Sequence, residues 1–428
     1  MTIEFNEDLL QFVWQYKLLG NAPLYTRSGK ALKILSPGEL NVNAGPDFFN
    51  ARILLNELTL AGNVEIHLRS SDWLKHGHQH DSDYNTLVLH VVYVHDCDIA
   101  QNRHFEVEVL ELLKVLPEET ILRYRHLMQT RKRIPCENQL AKVNDLAFQS
   151  WLERMVVERL EEKVNRIRYL FRQSQRNYPQ TFYLCLMRNF GFNVNAEPFE
   201  LLSKHLPLTL LLKHADRIQQ LEALLLGTAG MLNDQYTDPY LHALQNEYEF
   251  LRSKYQLVPL PSHLFKFSRL RPANFPSLRL VQFAGLLHTQ TELFCAPHRY
   301  TTYDTLIGYL KINPGTYWQN HYHPGGKERH NHKGLGIASI ENLLVNSFAP
   351  FFMFYSQQLG QEEYKEHALA LLAACSFESN TKTKLFMTKK AVLRNAADSQ
   401  GLIRLLQAYC QKKKCLTCGI GYQILKNH

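Results

Sequence analysis

The spacing of apolar residues differs between the first part of the chain and the rest. Residues 7–19 repeat apolar side chains at helical intervals and carry acids in the first turn, which predicts a helix. Short runs with strand character follow, separated by turn residues such as Pro37-Gly38 and Asn56-Glu57. The polar stretch 70–85 could hold a short helix. The predicted strands are 31–35, 48–55, 58–68, 86–94 and 104–113.

From about residue 117 onward the pattern is helical. In residues 144–175 apolar side chains recur at intervals of three and four, which predicts a long amphipathic helix. No fixed-period repeat is present, so a regular solenoid is not expected. Further helices are predicted at 179–190, 197–206, 216–227, 238–256, 276–288, 338–357, 361–375 and 399–411.

These patterns predict an α+β or α/β N-terminal core followed by a large all-α region. The order of elements in the core is helix, three strands, helix and strand. A length of 428 residues suits two or three domains. We expect an α/β domain at 1–116, a linker at 117–143 and a helical domain with a cysteine-rich C-terminal tail at 144–428.

Composition and charge indicate which partners and which cellular location to expect. Lysine and arginine total 48 and aspartate and glutamate total 40, so the net charge of +8 permits nucleic acid as a partner without requiring it. The N-terminus lacks the pattern of a secretory signal, and no run approaches the roughly 18 apolar residues of a membrane span. Eight cysteines in such a chain suggest reduced thiols. We therefore expect a cytoplasmic protein with no membrane partner.

Two acidic positions on neighbouring predicted strands carry candidate chemistry. Asp47 follows Pro46, and Glu65 precedes His67 by two positions on the next strand, so Glu65 and His67 share a face. A two-residue turn at Asn56-Glu57 places Asp47 opposite Ile66. A one-residue bulge, for which Gly62 is a natural position, or a three-residue loop centred on Asn56 places Asp47 opposite Glu65 instead.

Carboxylates that meet in this way could bind Mg²⁺ or Mn²⁺, which can activate water and neutralise a phosphoryl group. The alternative is that Pro46-Asp47 only starts a strand and that Glu65 and His67 lie on a solvated face. Glu7 or Asp8 could add an acid, although compensation of the helix dipole is the simpler interpretation. For His90, between two apolar residues, a hydrogen-bonded core position is expected. Phosphate or metal binding and a polar surface helix remain alternatives for His76, His78, His80, Asp81 and Tyr84.

The order of elements, the Pro-Asp pair and the Glu-x-basic motif over residues 5–113 resemble the PD-(D/E)xK nuclease superfamily. The resemblance implies a restriction-endonuclease-like core with Asp47 and Glu65 as metal carboxylates. His67 stands where that family usually has lysine, a fixed cation. His67 could ligate the metal, act as a base or orient water, or the substitution could mark a fold that has lost cleavage.

The whole chain also resembles an uncharacterised bacterial family known only as a domain of unknown function. That family has no established activity to transfer. The matching segments are AGPDFFNARI (44–53), AGNVEIHLRSSDW (61–73), LHVVY (89–93), RPANFP (271–276) and the cysteine-rich tail.

The tail contains Cys410, Cys415 and Cys418, at a spacing that can share a soft metal or an iron–sulfur cluster. The spacing does not distinguish Zn²⁺ from [4Fe–4S], and three unligated thiols are the alternative. A fourth ligand could be Cys136, Cys375 or His428. Cys136 would join the tail to the end of the first domain.

The leading hypothesis is a metal-dependent endo- or exonuclease, or a nucleic-acid-binding protein with a decayed site. Asp47 and Glu65 would hold the ion and His67 would assist. The second hypothesis is a non-catalytic helical scaffold whose C-terminal cysteines hold a structural metal. A third is a metal-dependent hydrolase of a small phosphorylated molecule.

Overall fold

The structure, a computed structural model, describes residues 3–99, 107–328, 334–387 and 389–426. It has an N-terminal mixed sheet followed by a large helical region, so the prediction of an α+β chain is confirmed. The chain divides into two units. The first contains Met1–Trp151, Thr388–Lys390 and Leu405–His428, and the second contains Leu152–Met387 and Ala391–Arg404.

The first part of the chain carries the sheet and the helices beside it. Short 3₁₀ helices at His78–His80, Ser82–Thr86 and Glu137–Lys142 join these elements. The elements are α1 (Glu7–Gln15), β1 (Leu24–Tyr25), β2 (Ala31–Ser36), β3 (Glu39–Leu40), β4 (Phe48–Leu55), β5 (Leu58–Arg69), α2 (Asp72–His76), β6 (Leu87–Val94), β7 (Glu108–Glu111) and α3 (Glu118–Gln129).

The strands lie in the order β1-β2-β4-β5-β6-β7, with β3 paired to β4. Pairing is antiparallel from β1 to β5 and parallel from β5 to β7. A parallel pair needs a long connection, and the polar stretch between β5 and β6 supplies one with α2 and two 3₁₀ turns. Each predicted strand is found. The first residues of the predicted strand 104–113 lie outside the described part of the chain.

Helix α1 packs against the central strand β5. Apolar residues recur along α1 at helical spacing, and the side of the helix that they form is buried. The first turn of α1 carries Glu7 and Asp8. The predicted linker 117–143 belongs to the first unit and contains α3 and the 3₁₀ helix Glu137–Lys142. The buried side chains of α1 are Leu9, Leu10, Phe12, Val13 and Trp14.

The rest of the described chain is helical. Two π-helical turns, Leu344–Phe348 and Leu405–Cys410, continue α14 and α18. The helices are α4 (Asp145–Gln173), α5 (Tyr178–Phe190), α6 (Phe192–His205), α7 (Leu208–Leu212), α8 (Ile218–Thr228), α9 (Pro239–Tyr255), α10 (Pro276–Thr289), α11 (Thr291–Cys295), α12 (Tyr303–Leu310), α13 (Thr316–Asn320), α14 (Ile337–Leu343), α15 (Ala349–Leu359), α16 (Glu362–Ala374), α17 (Thr381–Met387), α18 (Ala396–Arg404) and α19 (Gly419–Lys426).

The long predicted helices are found close to their predicted bounds, because their starts carry clear signals. Asp238 accepts hydrogen bonds from the backbone N–H groups of Tyr240 and Leu241, and Pro239 occupies the first turn of α9. Sequence analysis did not predict the five- to eight-residue helices α7, α11, α12, α13, α17 and α19. Such short segments hold too few turns to show a period of 3.6.

One helical run of the second unit is apolar enough to be compared with a membrane span. Ile337–Leu359 comprises 23 residues, and its most apolar 18-residue window has a mean hydropathy of 1.3. By length and composition the run could cross a bilayer. Sequence analysis expected no such run. Of its most apolar window, 72% is buried within the structure, where Phe348, Phe351 and Phe352 belong to the hydrophobic core. Core helices of globular proteins pass the same criterion, so the run is weak evidence for a membrane.

Candidate functional site

A bulge in β4 brings Asp47 opposite Glu65. Leu55 pairs with Leu58 and Ala51 with Gly62, as a two-residue turn at Asn56-Glu57 requires. Between Ala51 and Phe48 the register shifts by one, and Phe48 then pairs with Val64. The extra residue lies in β4, where Asn50 adopts a left-handed conformation with φ 56°. The predicted bulge is present, but its predicted position at Gly62 is wrong.

Gly62 has a different role at the neighbouring strand. A Cβ atom there would lie 2.4 Å from Cγ1 of Val88 and 2.5 Å from the carbonyl oxygen of Thr86. The register between β5 and β6 also shifts next to Gly62, between Asn63 and Val64. Glycine is therefore required for the close approach of the β6 segment.

Asp47 and Glu65 are held by a reciprocal set of hydrogen bonds. The backbone N–H of Asp47 donates to Oε2 of Glu65 at 3.0 Å. The backbone N–H of Ile66 donates to Oδ2 of Asp47 at 2.9 Å, and Nε2 of Gln11 donates to Oδ1 at 2.8 Å. Both carboxylates are thereby fixed in orientation, which a metal site requires.

A third carboxylate lies close by on α1. Glu7 accepts a hydrogen bond from the backbone N–H of Leu68 at 3.3 Å. Burial raises the pKa of Asp47, and the charge of Glu7 raises it further. Burial also raises the pKa of Glu65, followed by the charges of Asp47 and Glu7. The site thus concentrates negative charge that a bound cation would offset.

Three histidines complete this cluster. The ligand nitrogens of His67, His76 and His78 all lie within 4.8 Å of one another. Oε1 of Glu65 lies 3.4 Å from Nε2 of His67 and 3.3 Å from Nε2 of His78. Nε2 of His67 lies 3.1 Å from Nδ1 of His76. Sequence analysis left the roles of His76 and His78 open, and the structure brings both beside Glu65 and His67.

The inner histidines are neutral. His67 is 1% exposed, and its pKa is lowered to about 2 by burial and then by the charges of His90, His78 and His76. Burial lowers the pKa of His90 to about 3. Nδ1 of His67 lies 2.9 Å from Nε2 of His90. If Nδ1 of His67 donates to His90, the lone pair of Nε2 faces the cluster, which is the tautomer that a metal ligand needs.

The residues around the carboxylate–histidine cluster were harder to predict from the sequence than the cluster itself. Trp73 packs its ring against the rings of His78, His90 and Tyr84, at centroid distances of 5.2, 5.4 and 5.4 Å. Gln11, which sequence analysis missed, follows Glu7 by one helical turn and therefore shares its face of α1. That spacing was the available signal.

Other proposed neighbours have local roles. The Asp81 side chain accepts a hydrogen bond from the backbone N–H of Asp83 and caps a 3₁₀ turn. His80 is exposed. Asp8 accepts a hydrogen bond from Nδ2 of Asn6 at 2.6 Å. The His90 side chain is fully buried and contacts His67, as expected of a core histidine.

The donor set fits a metal ion. Among the described residues, no lysine or arginine forms an ion pair with Glu7, Asp47 or Glu65, and the basic groups beside Glu65 are the imidazoles of His67 and His78. Nε2 of His78 is buried 3.3 Å from Oε1 of Glu65 and forms no hydrogen bond of good geometry within the described residues. Carboxylate oxygens and imidazole nitrogens that face one another are ligand types that divalent ions take.

The cysteines form a second cluster within the first unit. Cys136, Cys410, Cys415 and Cys418 are free thiols, each 7–8% exposed. Burial raises the pKa of Cys136 to about 12, followed by the charges of Cys418 and Cys415. Cys375 lies instead in the second unit beside Glu341, and His428 lies outside the described residues. The 3₁₀ helix that follows Cys136 contacts α19, the helix that follows Cys418.

The fold and its sites define a two-unit α+β protein whose sheet carries a partly buried carboxylate–histidine cluster. The chain belongs to the family described as "Protein of unknown function (DUF2851)", whose model matches residues 7–381. The match includes Asp47, Glu65 and the histidines and ends before the tail cysteines. Comparisons with curated proteins and with solved structures give no match.

Proposed function

We propose that the protein is a metal-dependent phosphodiesterase that hydrolyses nucleic acid at the cluster of Asp47, Glu65 and His67. The observation that carries the proposal is the convergence of buried Glu65, half-buried Asp47 and three imidazoles without a lysine or arginine partner among the described residues. Burial raises the pKa of Asp47 to about 7 and that of Glu65 to about 9, so their ionised forms carry a free-energy penalty when no cation is bound. A divalent ion would remove that penalty and supply Lewis-acid chemistry at a phosphoryl group.

The donor types favour Mn²⁺, and also Zn²⁺, over Mg²⁺. Mg²⁺ takes oxygen ligands and retains several waters, whereas imidazole nitrogen suits the later transition metals. Glu65 and Asp47 offer oxygen, while His67, His76 and His78 offer nitrogen. A mixed set of this kind supports Mn²⁺ as the first ion to test.

Each residue has a distinct role in this proposal. Glu65 directs Oε1 at the histidines while Oε2 accepts from the backbone, so Oε1 is the oxygen available to an ion. Each oxygen of Asp47 accepts one hydrogen bond and retains a second lone pair. Neutral His67 acts as a ligand rather than as the cation that lysine supplies in PD-(D/E)xK nucleases.

Two features support a polyanionic substrate. The net charge of the chain is +8, which attracts phosphate backbones. Asp47 precedes β4, and Glu65 and His67 lie on β5, in a sheet flanked by α1 and α2. This order supports the proposed PD-(D/E)xK-like core.

The test is cleavage of labelled single- and double-stranded DNA and RNA by purified protein with Mn²⁺. Asp47→Asn and Glu65→Gln should lower the rate at least about a hundredfold, since each removes a charged ligand. Glu57→Gln, which removes a charge from the exposed turn between β4 and β5, is the matched control. Equal cleavage by all variants would identify a contaminant, and no cleavage by any of them would contradict the proposal.

Burial of the site supports a second candidate, a hydrolase of small phosphate esters. Glu65 is 5% exposed and His67 is 1% exposed, while His76 at the edge is exposed. Because Glu65 and His67 are so little exposed, a small molecule would reach them more easily than a polymer would. Salt separates the two candidates, because binding of a polyanion weakens steeply with salt and binding of a small phosphate ester does so much less.

A further inference from the structure

The cysteines of the first unit come from separate segments that meet in one buried place. Cys136 precedes the 3₁₀ helix Glu137–Lys142, and its carbonyl accepts from the backbone N–H groups of Gln139 and Leu140 at 2.9 and 3.1 Å. Cys410 ends the π-helical turn Leu405–Cys410. Cys415 and Cys418 lie on the turn that leads into α19.

The backbone around these cysteines is tightly packed. The N–H of Cys418 donates to the carbonyl of Cys415 at 3.3 Å, and the N–H of Lys413 donates to that of Cys410 at 3.1 Å. Lys413 has a left-handed conformation with φ 51°. A Cβ at Gly421 would lie 2.0 Å from the carbonyl oxygen of Cys415, so only glycine permits this approach of α19.

The segments that carry the four cysteines are in contact within the first unit. Cys136 directly precedes the 3₁₀ helix Glu137–Lys142, Cys418 directly precedes α19, and these two helices contact each other. All four side chains are only 7–8% exposed, and no disulfide joins them. Buried thiols grouped without disulfides are the donor set of zinc sites and iron–sulfur clusters.

We propose that Cys136, Cys410, Cys415 and Cys418 bind one thiophilic metal centre, a zinc ion or an iron–sulfur cluster. The site does not depend on the proposed function, because it shares no residue with the carboxylate–histidine cluster. The metal centre joins two segments of the first unit that are far apart in sequence. These segments are the 3₁₀ helix after Cys136 and helix α19. Helix α19 also contacts this 3₁₀ helix and α3 directly.

The centre positions α1 through α19. The ring of Tyr422 on α19 lies 4.6 Å from that of Tyr16 and 6.2 Å from that of Phe12, measured between centroids. Both partners are at α1, which also carries Gln11, the hydrogen-bond donor to Asp47. Loss of the thiolate metal would release α19 and loosen the support of Asp47, so the cysteines act as positioning residues for the first site.

The direct test is the metal content of the full chain purified without oxygen, measured by elemental mass spectrometry and visible absorption. We expect one zinc ion, or the iron and sulfide of one cluster, per chain. Cys136→Ser and Cys415→Ser should lose this metal, and Cys97→Ser, at a half-buried cysteine of the first unit, should keep it. Glu65→Gln should also keep it, which separates this centre from the proposed Mn²⁺ site.

A second measurement avoids variants that fail to fold. The wild-type chain is treated with an organomercurial, and release of metal is followed against the number of thiols modified. We expect no release while the exposed Cys295 and the half-buried Cys97 react, and full release once the four buried ligand thiols have also reacted. A Glu65→Gln protein reconstituted with Co²⁺ should show the intense thiolate charge-transfer absorption of a sulfur-rich tetrahedral site. Absence of zinc and iron together with absence of this Co²⁺ spectrum would overturn the proposal.

Discussion

The backbone N–H of Asp47 donates to Oε2 of Glu65 at 3.0 Å, across a hairpin whose regular register would have paired Asp47 with Ile66. The bulge at Asn50 makes this contact possible, because it shifts the start of β4 by one position relative to β5. A one-residue shift exchanges the two faces of a strand. The candidate site therefore depends on the bulge that accommodates this extra residue of β4.

Insertion of one glycine between Asn50 and Ala51 should abolish metal binding without unfolding the sheet. The ladder from Leu55 to Ala51 would remain, and the lengthened β4 would place Asp47 opposite Ile66 with its side chain on the other face. We expect binding of Mn²⁺, measured by calorimetry, to weaken at least about a hundredfold, comparable to loss of a ligand. Circular dichroism should show the sheet retained.

Deletion of Asn50 is the control, because it removes the bulge and leaves Asp47 opposite Glu65 in a regular ladder. This variant should bind Mn²⁺ like the wild type. If the insertion binds Mn²⁺ as tightly as the deletion does, the register of β4 has no part in building the site.

Sequence analysis located the elements of this site but not the geometry of the bulge. The turn at Asn56-Glu57 and the shared face of Glu65 and His67 followed from local chemistry and from the two-residue period of a strand. The bulge was predicted at Gly62 because glycine often marks one. In the structure asparagine, which also tolerates the left-handed region, occupies the bulge, and Gly62 makes room for Val88.

Sequence analysis left the roles of His76 and His78 open for a different reason. These histidines lie on a polar connection without strict periodicity, so the direction of their side chains depends on how α2 packs against β5. Trp73, buried on that helix, fixes this packing. For the cysteines, spacing alone indicated three ligands, and the approach of Cys136 depended on tertiary packing of the tail.

His76→Ala should weaken Mn²⁺ binding with little effect on stability. His76 is exposed, so its removal leaves no cavity, yet its Nδ1 lies 3.1 Å from Nε2 of His67. We expect a rise of about tenfold or more in the dissociation constant, measured by calorimetry. His80→Ala, an exposed histidine on the same connection, should change nothing. Equal effects at the two positions would remove His76 from the site.

Metal should stabilise the protein, and loss of a carboxylate should stabilise it when metal is absent. An ion at a hundred times its dissociation constant adds about 2.7 kcal/mol to the free energy of unfolding. With a chelator at pH 8, Asp47→Asn should add about 1 kcal/mol relative to wild type, because burial raises the pKa of Asp47 to about 7 and its ionisation above that pH opposes folding. Melting curves of both proteins with Mn²⁺ and with a chelator test both effects.

The order of stability should therefore reverse between the two conditions. Wild type should melt above Asp47→Asn in Mn²⁺ and below it in chelator. Glu57→Gln on the exposed turn provides the control, and its melting temperature should follow that of wild type in both. A variant that is less stable than wild type in chelator would indicate that Asp47 is a structural residue.

A buried glutamate in the second unit should make stability depend on pH. Glu222 is 2% exposed, and burial raises its pKa from 4.5 to about 7, although the hydrogen bond from the Tyr240 hydroxyl opposes the rise. Nε1 of Trp318 donates to the same hydroxyl at 3.1 Å. The folded protein thus holds the proton more tightly than the unfolded chain does, so folding is favoured where Glu222 is protonated.

This contribution is complete below pH 4.5 and is lost as the pH rises through about 7, with a total of about 3 kcal/mol. Glu222→Gln, which cannot ionise, should match wild type near pH 4.5 and exceed its stability at pH 8 by about that amount. Denaturant unfolding of the second unit at several pH values measures the difference. Glu249→Gln, at an exposed position of α9, supplies the control. If the difference between wild type and Glu222→Gln stays constant with pH, Glu222 is ionised in the folded state throughout.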